Sequence, residues 1–231
     1  MGDCGTLKLN LVIAESALEL VPDEIRRSPA VVNDAKRRER DPSKILLDRS
    51  LHHAAMVRLK EDYKRGRPDI LFVTLLSVTG TPLYEEGFVK VYVHTRGDVV
   101  LEIAERTRLP KSYFRFRNLV EKHLSEKSSN ELIRVREMNI RELLRKVIKP
   151  DFVAGLSTQG KVETLVDLAE TLVGIKNPCV VIGGFPHGHF SAGTLAVLDE
   201  LVRIDSRALD AHVVASRAVY EVERRLMRAD A

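Results

Sequence analysis

The rhythm of apolar positions changes several times along the chain, and each change marks an element. LKLNLVI, residues 7 to 13, alternates and is rich in branched side chains, which predicts a strand. Residues 22 to 43 lose that rhythm. Charge crowds around Pro22, Pro29 and Pro42, predicting a long irregular surface excursion with room for a short helix. From Ser50 onward Leu51, Ala54, Ala55 and Leu59 fall at helical spacing, with Gly66 and Pro68 as the stop. DILFVTLLSV, residues 69 to 78, is an almost unbroken apolar run between Pro68 and Gly80 and reads as a strand covered on both faces. VKVYVHT (89–95) and VVLEI (99–103), separated at Gly97, read as a hairpin.

A basic, aromatic helix is expected after Pro110. A polar loop at Ser128 and Ser129, strand LIRV, a helix from Ile140 to Val147 and strand DFVAGL follow. The last third repeats the pattern, with FVAGL, a helix over Val162 to Leu172, strand CVVIGG and a final helix from about Ala208 to Met227. Alternating β and α elements predict an α/β fold, a mostly parallel sheet with helices on both faces. Such sheets bind ligands at the carboxyl ends of their strands, which directs attention to the turns after Leu156 and Ile182.

Composition narrows the class. With 231 residues, 44% hydrophobic and 30% charged, the chain can bury a substantial core, and no Gly/Ser-rich linker divides it, so residues 1–231 are expected to form one domain. The two cysteines, Cys4 and Cys179, are far apart and lie in no CxxC or Cys/His set, so a reducing cytoplasm is expected. MGDCGTLKLN lacks a basic region followed by a long apolar stretch, and no segment approaches the roughly 20 apolar residues of a membrane span. Neither export nor membrane insertion is expected. The net charge of +4 is small, but its placement is uneven. From Glu105 to Lys122, Arg106, Arg108, Lys111, Arg115, Arg117 and Lys122 face only Glu105 and Glu121, whereas residues 152 to 212 are mildly acidic.

Several groupings are candidates for chemistry. In VIGGFPHG, residues 181 to 188, glycines let a ligand approach the main chain, which suits an adenine or ribose; an ordinary tight turn is the competing explanation. It is not GxGxxG and carries no phosphate-cradling lysine, which disfavours dinucleotides and triphosphates. LSTQG (156–160) and RIDSRAL (203–209) are each readable as helix caps, yet three such turns in one half can converge on one cofactor. In RTRLPKSYFRFR, residues 106 to 117, cations alternate with rings, as phosphates and bases require, although Phe114 and Phe116 also fit a core-facing helix stripe. Arg67-Pro68-Asp69 offers an ion pair at the mouth of the 69–78 strand, structural or base-reading. His52-His53 and His187-x-His189 lack completing carboxylates, so no metal is expected, and no GxSxG elbow is present.

Taken together, RPDILFVTLLSV, VKVYVHTRG, TRLPKSYFRF, VIGGFPHG and IDSRAL resemble, in order and spacing from about residue 7 to 227, the SPOUT-class pseudouridine N1-methyltransferases of ribosome biogenesis. The resemblance implies a C-terminal trefoil knot over about 150–228, which general topology rules would not suggest. It also implies S-adenosylmethionine held by Leu156, Thr158, Gly160, Gly183, Gly188, Ile204, Asp205, Ser206, Arg207, Ala208 and Leu209. The matched RNA-contacting positions are Arg67, Asp69, Arg108, Lys111 and Arg115. Asp69 would orient the uracil-like edge or assist proton loss, with Arg67 holding it.

Two departures from the family pattern stand out. Lys111 occupies a position where arginine is common, and Gly183-Gly184 replaces a more usual Gly-Ala, a change expected to leave the loop intact. The charged stretch Arg26 to Arg40 matches no motif. The expected activity is methylation of a pseudouridine in small-subunit rRNA, with an RNA-binding assembly factor and a tRNA-directed methyltransferase as alternatives. A homodimer is expected through Val214, Ala215, Ala218, Val222 and Leu226 on the last helix, a stripe that would equally serve this chain's own sheet.

Overall fold

The computed structural model describes residues 7–227; Cys4 lies outside them. Its strands are β1 (Leu9–Ser16), β2 (Val89–Thr95), β3 (Val99–Ile103), β4 (Ile133–Glu137), β5 (Phe152–Val162), β6 (Pro178–Gly183) and β7 (Glu200–Arg203). They form one sheet in the order β4-β3-β2-β1-β6-β5-β7. β1 is parallel to β2 and β6, and β5 is parallel to β6 and β7, while β2, β3 and β4 make an antiparallel meander. The expected mostly parallel α/β sheet is therefore present.

The helices are α1 (Pro29–Arg37), α2 (Arg49–Met56), α3 (Pro68–Thr79), α4 (Pro82–Glu85), α5 (Tyr113–Glu126), α6 (Ile140–Glu142, continued by a π turn over Leu143–Ile148), α7 (Leu165–Val173), α8 (Ala192–Leu195) and α9 (Ala211–Leu226). Leu71 and Leu75 of α3, Phe116 and Val120 of α5, Leu168 of α7 and Val219 of α9 pack with Leu11, Ile13 and Val93 on one side of the sheet. On the other side Ile140, Leu143 and Leu144 join Val12, Tyr92 and Val181. Burial on both faces explains why β1 reads LNLVIAES with almost every residue inside.

The apolar run 69–78 is not a strand but most of α3. The run is apolar on its outer face too, where Val73 is exposed, so composition cannot separate this helix from a buried strand. The deciding features are Pro68 at the first helical position and burial of Leu71, Thr74, Leu75 and Val78 at three- and four-residue spacing. Arg67-Pro68-Asp69 consequently marks the start of a helix.

Residues 22–43 are more ordered than expected. A 3-10 turn (Asp23–Ile25) and α1 place Val21, Ile25, Val31 and Ala35 against Ile45, Leu47, Ala55 and Met56 in a small separate core. Pro29 starts α1; Lys36 and Arg37 face outward, while Asp34 is buried beside Val31 and Ala35 and paired with Arg37 and Arg38. Boundaries shift elsewhere too. The helix after Ser50 ends at Met56, that of residues 162–172 begins at Leu165 behind the Thr164 cap, and the last helix begins at Ala211 rather than Ala208.

LSTQG is not a turn after a strand either. Leu156 and Lys161 both pair with Val202, so β5 continues and residues 157–160 arch out of it. On α9, Ala215, Ala218 and Val222 are buried in the protomer's own main core, which takes the small-residue stripe out of use as a dimer face.

Candidate functional site

A cleft of ≈ 300 Å³ lies at the carboxyl ends of the last parallel strands. Three separated segments build it: Leu156, Ser157 and Thr158 from the β5 arch; Ile182 and Gly183 with the loop to Phe190 after β6; and Ile204, Asp205, Arg207, Ala208 and Leu209 after β7. The start of α9 closes it through Ala211 and Val214. Nine of the eleven residues expected to hold the cofactor line this cleft or flank it. Gly160 and Ser206 do not line it.

Gly160 has a different task. A Cβ there would meet the main chain of Leu201 and Val202 at 2.5 Å, so only glycine lets the arch cross β7 this closely. Gly188 has φ +94°, a left-handed conformation suited to glycine. At Gly184 a methyl group would meet Ser16 Oγ at 2.4 Å and Ser16 Cα at 2.9 Å. An alanine at position 184 is therefore not neutral against the backbone as it stands in this chain.

Asp205 accepts two hydrogen bonds from the Arg207 guanidinium at 3.1 Å and one from the Arg207 backbone N–H at 2.9 Å. The guanidinium first, and then the amide, hold its carboxyl down at about 2. One wall of the cleft thus carries a persistent carboxylate.

The loop after β6 contributes residues that motif reading left unassigned: Phe185, Pro186, His187, His189 and Phe190. The phenylalanine rings meet edge to face at 5.9 Å. Two residues outside the cleft fasten this loop. Lys64 Nζ donates to the His189 carbonyl and lies 4.7 Å from the Phe185 ring centroid. Glu15 accepts from the Ser191 N–H at 2.8 Å and from the Thr194 hydroxyl at 2.7 Å, with Lys64 Nζ 3.7 Å away. Glu15 holds φ 51° at the end of β1, local strain of the kind found beside functional sites. No pattern in the sequence links residues 15, 64 and 189, because only the fold brings them together.

Arg67 and Asp69 form a two-pronged ion pair, Nε to Oδ1 and Nη2 to Oδ2 each at 2.8 Å, at the N-terminus of α3. The hydrogen bond it donates to Asp69 is the main reason the Arg67 guanidinium is held above its ordinary range, and the charges of Asp69, Asp210 and Asp48 reinforce it. Asp210 immediately precedes α9, whose first turn closes the cleft, and Ser77 of α3 donates to the His212 carbonyl in that turn at 3.4 Å, so the helix that begins at the pair packs on the helix that closes the cleft. Tyr113, at the start of α5, donates to Asp48 Oδ2 at 3.0 Å, and burial pushes its phenol upward.

The cationic window divides by burial. Arg108, Lys111 and Arg115 are exposed, and no ion pair or hydrogen bond engages their side chains among the described residues. Arg106 instead donates to the Glu86 carbonyl at 2.9 Å, and Arg117 is buried. Glu121 is buried too, accepting from Arg38 at 2.5 Å and from the Leu46 N–H at 3.0 Å. Arg108, Lys111, Arg115 and Lys122, exposed and unengaged among the described residues, remain for a partner. Among the described residues no group of three or more His, Cys, Asp or Glu side chains is placed to hold a metal ion, and no helix is long and apolar enough to cross a membrane.

Comparison with known proteins converges on one family. Residues 11–223 match the EMG1/NEP1 methyltransferase family. Ribosomal RNA small subunit methyltransferase Nep1 of Thermococcus kodakarensis is 43% identical over 185 residues, 79% of this chain and 84% of that one. The protein of that name from Pyrococcus furiosus is 41% identical over 199 residues, 85% and 89% of the two chains. The crystal structure of Archaeoglobus fulgidus Nep1 bound to S-adenosylhomocysteine superposes with a TM-score of 0.84 at 35% identity, covering 96% of this chain and 100% of that one. A match of this extent, across both the cleft and the cationic helix, places the chain in the EMG1/NEP1 methyltransferase family.

Proposed function

We propose that the chain transfers the methyl group of S-adenosylmethionine to N1 of a pseudouridine in small-subunit ribosomal RNA during small-subunit biogenesis. The observation that carries this is a three-segment cleft closed by α9, the helix on which α3 with its Arg67–Asp69 pair packs, beside exposed cations on and just before α5. The names of the archaeal relatives and the S-adenosylhomocysteine in the Archaeoglobus protein support it.

The cleft fits the cofactor in size and lining, since small-molecule sites begin near roughly 300 Å³ and combine apolar walls with a few polar groups. Leu156, Ile182, Ile204 and Leu209 supply apolar walls. Gly183 and Gly188 bring the main chain close, while Thr158 and the ionised Asp205 offer partners for ribose hydroxyls. When bound, S-adenosylmethionine supplies an electrophilic methyl carbon on a cationic sulfur. The remaining task of the protein is to position the nitrogen in line with it.

Arg108, Lys111 and Arg115 grip phosphates, with Lys111 acting as a point charge rather than a fork. The target leaves its stack to reach the cleft. Both Asp69 oxygens accept from Arg67, which aims the carboxylate and leaves lone pairs for the N–H edge of the base. Transfer would break the methyl carbon–sulfur bond as the carbon–nitrogen bond forms, leaving S-adenosylhomocysteine, and Asp69 would ease the departure of the N1 proton.

The same reading takes residues 1–231 as one domain, with the insertion at 22–43 joined to α5 through Arg38 and Glu121. It takes the arch at 157–160, crossing β7 tightly at Gly160, as part of a trefoil knot. It also includes cytoplasmic action and a homodimer; Tyr220, 55% exposed on the solvent side of α9, is an apolar group left for pairing. Sedimentation at micromolar concentration checks the pairing.

Mass spectrometry tests the activity on two stem-loops differing only in uridine or pseudouridine. One cofactor-dependent methyl on the pseudouridine RNA alone is expected. Binding without mass gain, or equal methylation of both RNAs, would sink the proposal.

A further inference from the structure

Folding separates the two phenylalanines of the cationic window. Phe116 is 1% exposed, whereas Phe114, on the first turn of α5, is 67% exposed. A line of rings leads out to it: Phe116 lies 5.1 Å from Phe72, Phe72 meets Tyr113 edge-on at 5.5 Å, and Tyr113 lies 6.4 Å from Phe114. Tyr113 is pinned by its hydrogen bond to Asp48, so this line has a fixed end beside the Arg67–Asp69 pair.

Behind the exposed ring sits a buried cation. Arg117 is 9% exposed, its guanidinium carbon lies 5.3 Å from the Phe114 centroid, and its Nε has no hydrogen-bond partner among the described residues. A cation against an aromatic face fixes the orientation of the ring. Leaving a phenylalanine in water forgoes the stabilisation its burial would bring, so an aromatic residue held outward is best explained by a partner.

Charge decides what kind. Lys111 and Arg115 lie within three residues of Phe114 along the chain, both exposed. An apolar protein surface covering Phe114 would strip water from those cations without pairing them, at considerable cost. A looped RNA meets both demands at once, offering the π-face of a base to the ring and phosphates to the cations.

We infer that Phe114 is a stacking platform for an unpaired base of the bound RNA, held in place from behind by Arg117. This rests on the reading that the 105–122 window contacts RNA, and it adds a residue that reads base faces rather than phosphates. Stacking does not release counterions, so its contribution differs in kind from that of the neighbouring cations.

The sequence contains no tryptophan, so Phe114→Trp introduces the sole tryptophan, which can be excited selectively over the tyrosines. Titrated with the pseudouridine-containing stem-loop, this variant should show emission quenching that saturates with binding, at near wild-type affinity. Phe114→Ala and Phe114→Leu should each weaken binding roughly 5- to 150-fold, the range for losing one stacked base, while the salt dependence of affinity stays at the wild-type value. Circular dichroism and cofactor titration confirm that these variants remain folded.

Unchanged affinity in Phe114→Ala together with an unquenched tryptophan overturns the inference, while salt-sensitive wild-type binding would leave the RNA reading intact. Absence of wild-type RNA binding overturns both. A shift in sedimentation with unchanged RNA affinity would also overturn it, assigning the ring to contact between copies of the chain.

Discussion

At the scale of single residues, the Arg67–Asp69 pair joins two oxygens to one planar guanidinium. A lysine cannot reproduce that fork. Arg67→Lys should leave cofactor affinity by calorimetry unchanged while lowering kcat/KM for the RNA roughly tenfold or more, as expected for losing a ~1.5–3 kcal/mol hydrogen bond to a charged group. Equal loss in both measurements would mean that the pair only supports the fold. His52 makes a separate residue-scale prediction. It is fully buried, accepts from the Asp48 N–H at 3.1 Å and lies 3.5 Å from Asp34, and burial holds its pKa below the ordinary 6.5 despite the raising effect of Asp34. The unfolded chain therefore takes up a proton near pH 6.5 before the folded chain does, so stability present above that pH declines as pH falls. The slope reaches at most about 1.4 kcal/mol per pH unit for one proton, and chemical denaturation from pH 7 to 5 should show it flattened in His52→Asn.

At the scale of elements, the β5 arch and β7 hold each other in register through a glycine rather than a side chain. Gly160→Ala places a methyl group 2.5 Å from the Leu201 carbonyl oxygen, an atom of the main chain that cannot rotate away. The substitution should cost about 1–3 kcal/mol, as overpacking does elsewhere. Leu156 to Thr158 form one cleft wall, so weaker cofactor binding should accompany it in calorimetry. A variant with wild-type stability and affinity would refute the close-crossing account. The same element shows where sequence reading reaches its limit. Three glycine- and hydroxyl-bearing segments were legible as candidates, yet LSTQG looked like a plain turn because pairing of both Leu156 and Lys161 with Val202 is a property of two strands together.

Across the whole molecule, charge and cleft lie on different parts of one surface, and the fold joins them through α3, α5 and α9. Arg108→Ala with Arg115→Ala should weaken RNA binding and reduce the slope of log affinity against log salt by about two, one for each phosphate contact, with cofactor affinity unchanged. Filter binding from low to high salt, beside calorimetry, checks this. Parallel loss of both affinities would make the window structural. The insertion joins this architecture through Arg38, which reaches Glu121 on the buried side of α5.

The chain's own order of residues determined the alternation of strands and helices, the glycine-bearing segments of the cleft, the cationic run and the family likeness, because each depends on neighbours a few positions apart. Tertiary structure decided the rest. It made residues 69–78 a helix by burying Leu71, Thr74, Leu75 and Val78 on one face while Val73 stays exposed, a division that a uniformly apolar run does not announce. It turned the small-residue stripe of α9 inward, sent Phe116 to the core and Phe114 to solvent, and joined Glu15 and Lys64 to the loop at His189. Those outcomes depend on which surfaces meet across the fold, and contacts between distant residues leave no local mark in composition or spacing.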